Sequence, residues 1–157
     1  MTQNGKSIFL GLTANFYENS EMIPDPSDLS PQAKNLLILD DCFLGKQNKA
    51  EAYYTRGRHN NCDTIFLSQN YFRLNRSTIR ENCNFLMLFQ QDTKNINHIH
   101  ADHCSDIPLE EFRHFCKQVW ATKHTFVTID LTSSLSNGKY RKNLDTFYIP
   151  NILLETK

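Results

Sequence analysis

Four short apolar runs, at 35–39, 64–68, 84–90 and 125–131, each break off into polar residues. Continuous apolar runs of this length are the pattern of strands buried on both faces, as in a parallel sheet. Between them lie stretches of helical periodicity at 46–55, 76–82, 93–102 and 108–121. The last is the clearest: Leu109, Phe112, Phe115, Cys116 and Val119 recur at helical spacing behind the acidic pair Glu110-Glu111, which suits a helix N-terminus. Strands alternating with helices predict an α/β fold with a mostly parallel sheet. Segment 23–31 carries three prolines and reads as a loop, and residues from Gly138 onward read as a turn, a basic stretch and a short terminal strand.

With 157 residues and 39% hydrophobic positions, the chain suits one domain with an adequate core. Seventeen basic and seventeen acidic residues give no net charge, so any contact with nucleic acid depends on a local patch. Between Gly45 and Arg80 there is such a patch: Lys46, Lys49, Arg56, Arg58, Arg73, Arg76 and Arg80 face only Glu51 and Asp63, with Tyr53, Tyr54, Tyr71 and Phe72 interleaved. The longest apolar runs, 36–39 and 85–89, are far short of the roughly 20 residues of a membrane-spanning helix. The N-terminus is a poor signal peptide. Five scattered cysteines without a C-x-x-C pair point away from a disulfide framework or zinc ribbon and toward a reducing compartment, cytoplasm or nucleus.

The first run ends in Asp40-Asp41. An acidic pair closing a buried strand is the form of a Walker B motif: Asp40 holds Mg²⁺, directly or through water, and Asp41 polarises the attacking water. Two solvated acids opening a loop have the same sequence, so further residues have to decide. After the next run come Ser68-Gln69-Asn70. A Gln at such a strand end can sense a γ-phosphate, and an Arg before the strand, Arg56 or Arg58, can neutralise charge on a neighbouring subunit's nucleotide. His98, His100, His103 and Cys104 suggest a metal site, but His98 and His103 are five apart, not at the i, i+4 spacing that turns two ligands to one helix face.

Taken in order, LLILDD (36–41), KQN (46–48), YYTRGRHNN (53–61), TIFLSQNYF (64–72) and TIRENCNFLMLFQQD (78–92) resemble the FtsK/HerA-like DNA-packaging ATPases of large eukaryotic DNA viruses and of Polinton (Maverick) elements, including the poxvirus packaging ATPase. The resemblance continues through NHIHADH (97–103), LEEFRHFCKQVW (109–120), FVTIDL (126–131) and GKYRKNLDTFYIP (138–150). It implies an ASCE-type P-loop NTPase with a RecA-like core, using ATP and Mg²⁺ and pumping double-stranded DNA into a capsid. By position, Asp40 and Asp41 match Walker B and Gln69 matches the sensor. Arg56 or Arg58 matches the trans-acting arginine, with Arg80 a further candidate. A homo-oligomeric ring, hexameric by the resemblance, a capsid portal or vertex, and location in the host cytoplasm or nucleus or with the virion are also implied.

One part departs from the pattern. A P-loop, G-x-x-x-x-G-K-[ST], cradles phosphates with backbone N–H groups and a Lys. Here the nearest candidate is Asn4-Gly5-Lys6-Ser7, and Lys6 precedes Asp40 by only 34 residues, where two βαβ crossings need roughly 60. The expectation is therefore a single partial NTPase domain over 1–157, truncated at its N-terminus, whose missing P-loop strand leaves open edges beside the Gln69 and Phe85 strands. The alternative is a non-catalytic remnant that binds nucleic acid or another subunit. A nuclease built on Asp40, Asp41 and His98 is a distant third reading.

Overall fold

The computed structural model describes residues 6–9, 12–18, 20–40 and 48–154, and the chain divides into two compact units, Met1–Asn82 and Cys83–Lys157. In the first unit, β1 (Lys6–Phe9) and β2 (Leu12–Asn15) form an antiparallel hairpin, Lys6 opposite Asn15. β3 (Asn35–Asp40) is followed by α1 (Asn48–Arg56), a 3-10 turn at Gly57–Asn60 and β4 (Cys62–Leu67). β3 and β4 pair in parallel from Asn35 opposite Cys62 to Asp40 opposite Leu67.

α1 turns Ala50 and Tyr53, three residues apart, onto Leu39 and Cys62, and Ile23 completes this core. The proline-containing loop is tied to the same helix. The Tyr53 hydroxyl donates to the Pro24 carbonyl at 3.0 Å, and Lys49 Nζ donates to the carbonyls of Glu21 and Ile23. After α1 the chain turns sharply: a Cβ at Gly57 would stand 3.2 Å from the Cys62 carbonyl oxygen, and Asn61 adopts a left-handed conformation (φ 50°).

In the second unit, β5 (Phe85–Leu88) leads to α2 (Thr93–His103) and α3 (Leu109–Trp120), then β6 (Val127–Asp130), β7 (Tyr140–Lys142), β8 (Thr146–Phe147) and the short α4 (Asn151–Leu154). α2 starts where Asp92 accepts a hydrogen bond from the Asn95 amide at 2.7 Å. α3 buries Phe112, Phe115, Cys116 and Val119, the stripe expected from its periodicity, in a core shared with Ile99, Val127, Ile129 and Tyr140. Each such side chain stabilises the unit by roughly 1.5–3 kcal/mol.

The sheet corrects the expected fold class. Only β3 and β4 are parallel; β5-β6-β7-β8 is a separate, wholly antiparallel sheet, so the chain does not have a mostly parallel RecA-like sheet. The reason lies in the connections. β6 follows a pair of helices and runs opposite to β5, and β7 and β8 return through turns at Gly138 (φ 78°) and Asn143 (φ 53°). β6 is buried at all four positions, so its continuous apolar run carries no information on direction.

Nor is β3 buried on both faces: Leu37 and Leu39 face α1, whereas Leu36 (58% exposed) and Ile38 (56%) lie on the opposite face with Ile65 and Leu67 of β4. Among the described residues β4 pairs only with β3, and β5 only with β6. The helix expected over 76–82 is a single turn closing in a 3-10 segment at Arg80–Asn82: the Asn75 side chain caps its start by accepting from the amides of Ser77 and Thr78, and the Asn82 side-chain amide closes it by donating to the Ser77 and Thr78 carbonyls.

Gly138 offers a direct check on the antiparallel sheet. Its φ is unfavourable for any L side chain, and an added Cβ would lie 2.9 Å from the Phe147 ring. Gly138→Ala is expected to lower stability by about 1–3 kcal/mol in urea unfolding. A loss below a few tenths would show that this turn is not held as described.

Candidate functional site

The parallel register of β3 and β4 sets the geometry. Because Asp40 stands opposite Leu67, the segment Ser68–Asn70 leaves the sheet beside the Asp40 carboxylate, and both Asp40 and Gln69 are exposed at these strand ends. The turn carrying Gln69 is braced on either side. Ser68 Oγ donates to the Asn70 carbonyl at 2.9 Å and accepts from the Asn70 amide at 3.1 Å, while Asn70 Oδ1 accepts from the Phe72 amide at 2.9 Å. Sequence reading picked out Gln69 but not its supports, although Ser and Asn flanking a strand end are a recognisable turn signal. Asp41 lies outside the described residues.

Arg56 and Arg58 sit at the other end of β4, one closing α1 and the other in the 3-10 turn. A six-residue strand separates them from Gln69, roughly 20 Å at the usual rise. Neither can therefore serve the Asp40 end of its own chain. The two also differ in their surroundings. Arg56 approaches Asp25 at 3.5 Å in an exposed pair, whereas Arg58 is exposed and pairs with no acid among the described residues. Arg80 is held over the rings of Tyr71 and Phe72, its guanidinium 4.9 and 5.6 Å from their centroids.

The basic stretch is thus no uniform phosphate grip. Lys49 is spent on carbonyls and Arg76 pairs with Glu81 at 3.4 Å; Lys46 lies outside the described residues. Lys139 and Arg141 of the C-terminal basic run are likewise engaged within the fold. Lys139 Nζ meets Asp106 at 2.6 Å, and Arg141 meets the buried Asp130 at 2.6 Å. No family model, curated protein or solved structure matches the chain.

The proposed metal chemistry falls on one described ligand. Mg²⁺ takes one or two carboxylates and keeps most of its waters or takes phosphate oxygens, so an exposed Asp40 at a strand end fits a Mg²⁺ ligand. The His/Cys segment does not form a comparable group. His100 Nε2 is hydrogen-bonded to the Ile107 carbonyl at 2.8 Å, and Cys104 is fully buried, its thiol pushed up to about 12 by that burial. Among the described residues no cluster of three His, Cys, Asp or Glu side chains is placed to hold a metal. Lys6 and Ser7 lie on β1, paired with Asn15 and Ala14 across an antiparallel hairpin. They are not at the start of a helix, where a phosphate cradle needs them.

Proposed function

We propose that this chain contributes the Mg²⁺-binding and γ-phosphate-sensing part of an ATPase that drives double-stranded DNA into a viral capsid, working as a homo-oligomeric ring. The observation that supports the reading is the in-register parallel pair β3–β4, which brings Asp40 and Gln69 to one strand end and leaves Arg56 and Arg58 at the other. In this reading Asp40 anchors Mg²⁺, Gln69 contacts the terminal phosphate, and Asp41 orients water. An arginine reaches the nucleotide of an adjacent subunit. The DNA, the capsid and the ring rest on the resemblance of the motifs. A second reading, a non-catalytic module binding nucleic acid or another subunit, is favoured by the placement of Lys6 and Ser7 on a strand.

Titration with Mg²⁺ followed by amide NMR tests the first reading. Asp40 and Gln69 lie on different strands, so their amides are expected to shift together, and Asp40→Asn to remove both shifts while leaving the fold intact. Shifts confined to other residues, or unchanged shifts in Asp40→Asn, would reject the metal role and leave the non-catalytic module.

A further inference from the structure

β4 ends at Leu67, and the residues that follow are closed on themselves by one side chain. The Ser68 hydroxyl donates to the Asn70 carbonyl at 2.9 Å and accepts from the Asn70 amide at 3.1 Å, so one oxygen holds both backbone polar groups of the residue two positions on. Ser and Thr can make both bonds; Ala can make neither. The ring closed by the bond from the Asn70 amide runs through the backbone of Gln69 and restricts its φ and ψ. Its far side is anchored in turn, because Asn70 Oδ1 accepts from the Phe72 amide at 2.9 Å and starts the 3-10 turn Tyr71–Arg73, in which Tyr71 is buried.

Ser68 is exposed, and among the described residues its hydroxyl makes no hydrogen bond outside this turn. A side chain so placed fills no part of the core. Its two bonds act on the conformation of one residue, Gln69, at the strand end where Asp40 stands opposite Leu67. We propose that Ser68 is a positioning residue for Gln69, holding its backbone ordered beside Asp40 so that the glutamine meets the terminal phosphate of a Mg²⁺-bound nucleotide without first having to be fixed in place. A glutamine left loose gives up backbone freedom each time ligand binds, and that loss opposes binding. Ser68 touches neither metal nor phosphate in this role. The inference rests on the ATPase reading and deepens it.

Backbone ¹⁵N relaxation and Mg²⁺ titration of the whole chain, as wild type, Ser68→Ala and Ser68→Thr, test it. In the wild type the Gln69 amide is expected to show an order parameter of about 0.85 and to shift together with that of Asp40 as Mg²⁺ is added. Ser68→Ala should lower the Gln69 order parameter below about 0.6 and remove most of its shift, while the Asp40 amide titrates with an unchanged midpoint. Ser68→Thr should restore both. A Gln69 that stays ordered or keeps its shift in Ser68→Ala overturns the positioning role and leaves the ATPase reading in place. So does a Ser68→Thr variant that fails to restore both, and so does loss of the Asp40 response in Ser68→Ala, since the effect is then not confined to Gln69. A wild type in which Asp40 and Gln69 do not shift together rejects the ATPase reading, and the positioning role with it.

Discussion

Asp130→Asn is expected to destabilise the second unit by about 3–5 kcal/mol, one of the two largest effects in the molecule, because it leaves the Arg141 guanidinium with its charge uncompensated in a largely buried site. Arg141 meets Asp130 at 2.6 Å, and the same carboxylate accepts from the Thr132 amide, the Thr132 hydroxyl and the Ser133 hydroxyl. Burial pushes the Asp130 carboxyl up. The Thr132 and Ser133 hydrogen bonds and the Arg141 charge outweigh it, holding the group below its usual 3.8. A carboxylate depressed in the folded state contributes stability above its unfolded value, and that stability is lost as pH falls through the folded value. The wild type should therefore lose stability below about pH 4, and Asp130→Asn should show a flatter acid limb. Urea unfolding read by Trp120, the only tryptophan, follows this unit directly, since its indole N–H donates to the Leu88 carbonyl at 2.9 Å. The double variant Asp130→Asn with Arg141→Met should recover much of the loss, because it removes both charges. A single-variant loss below about 1 kcal/mol would show that the pair is not desolvated as described.

That ion pair also shows where sequence reading stops. Asp130 and Arg141 stand eleven positions apart across a turn, and nothing in the local pattern distinguishes a basic run that grips phosphate from one consumed inside the fold. Lys139 is the same case: it spans from β7's approach to Asp106, which also accepts from the Tyr140 hydroxyl. What was legible was local. The α3 stripe follows from its own spacing, and strands at Asn35–Asp40 and Cys62–Leu67 follow from short apolar runs between polar ends. Strand direction was not legible. A run such as 125–131 looks alike in a parallel or an antiparallel sheet when both faces are covered; here the helix pair before it brings β6 back antiparallel to β5, and the left-handed Gly138 and Asn143 turn β7 and β8 back in succession. The helical pattern over 76–82 failed for a different reason: the Asn82 side-chain amide donates to the Ser77 and Thr78 carbonyls and closes the turn, which leaves the apolar periodicity unaltered.

The candidate site divides in the same way. Asp40 and Gln69 were readable because each closes an apolar run, and strand pairing then brought the two ends together. The supports at Ser68 and Asn70 were visible as turn residues but carried no sign of what they brace. The difference between Arg56 and Arg58 depends on Asp25, thirty-one positions before Arg56. Only packing of the proline-containing loop against α1 reveals it.

That difference carries the second large prediction. In an assembly that also supplies a phosphate-binding loop, Arg58→Ala is expected to reduce ATP hydrolysis by roughly 10³ to 10⁵, the usual worth of a trans-acting arginine in phosphoryl transfer. Arg56→Ala should cost far less, since its exposed pair with Asp25 at 3.5 Å contributes at most about 1 kcal/mol. The assignment to Arg58 rests on its exposure and on the roughly 20 Å of β4 that keeps it from the Gln69 end of its own chain. A trans residue leaves a signature in mixed rings that a structural residue does not. Subunits carrying Asp40→Ala keep their arginine, and subunits carrying Arg58→Ala keep their metal ligand. Each preparation is inactive alone, whereas mixed rings contain junctions in which both parts are intact. Recovered ATPase activity in the mixture, with none after mixing Asp40→Ala with the doubly substituted subunit, would establish Arg58 as the trans residue. Mixed rings that assemble without recovering activity would exclude that role, and the same mixing with Arg56→Ala would then test the only other arginine at this end of β4.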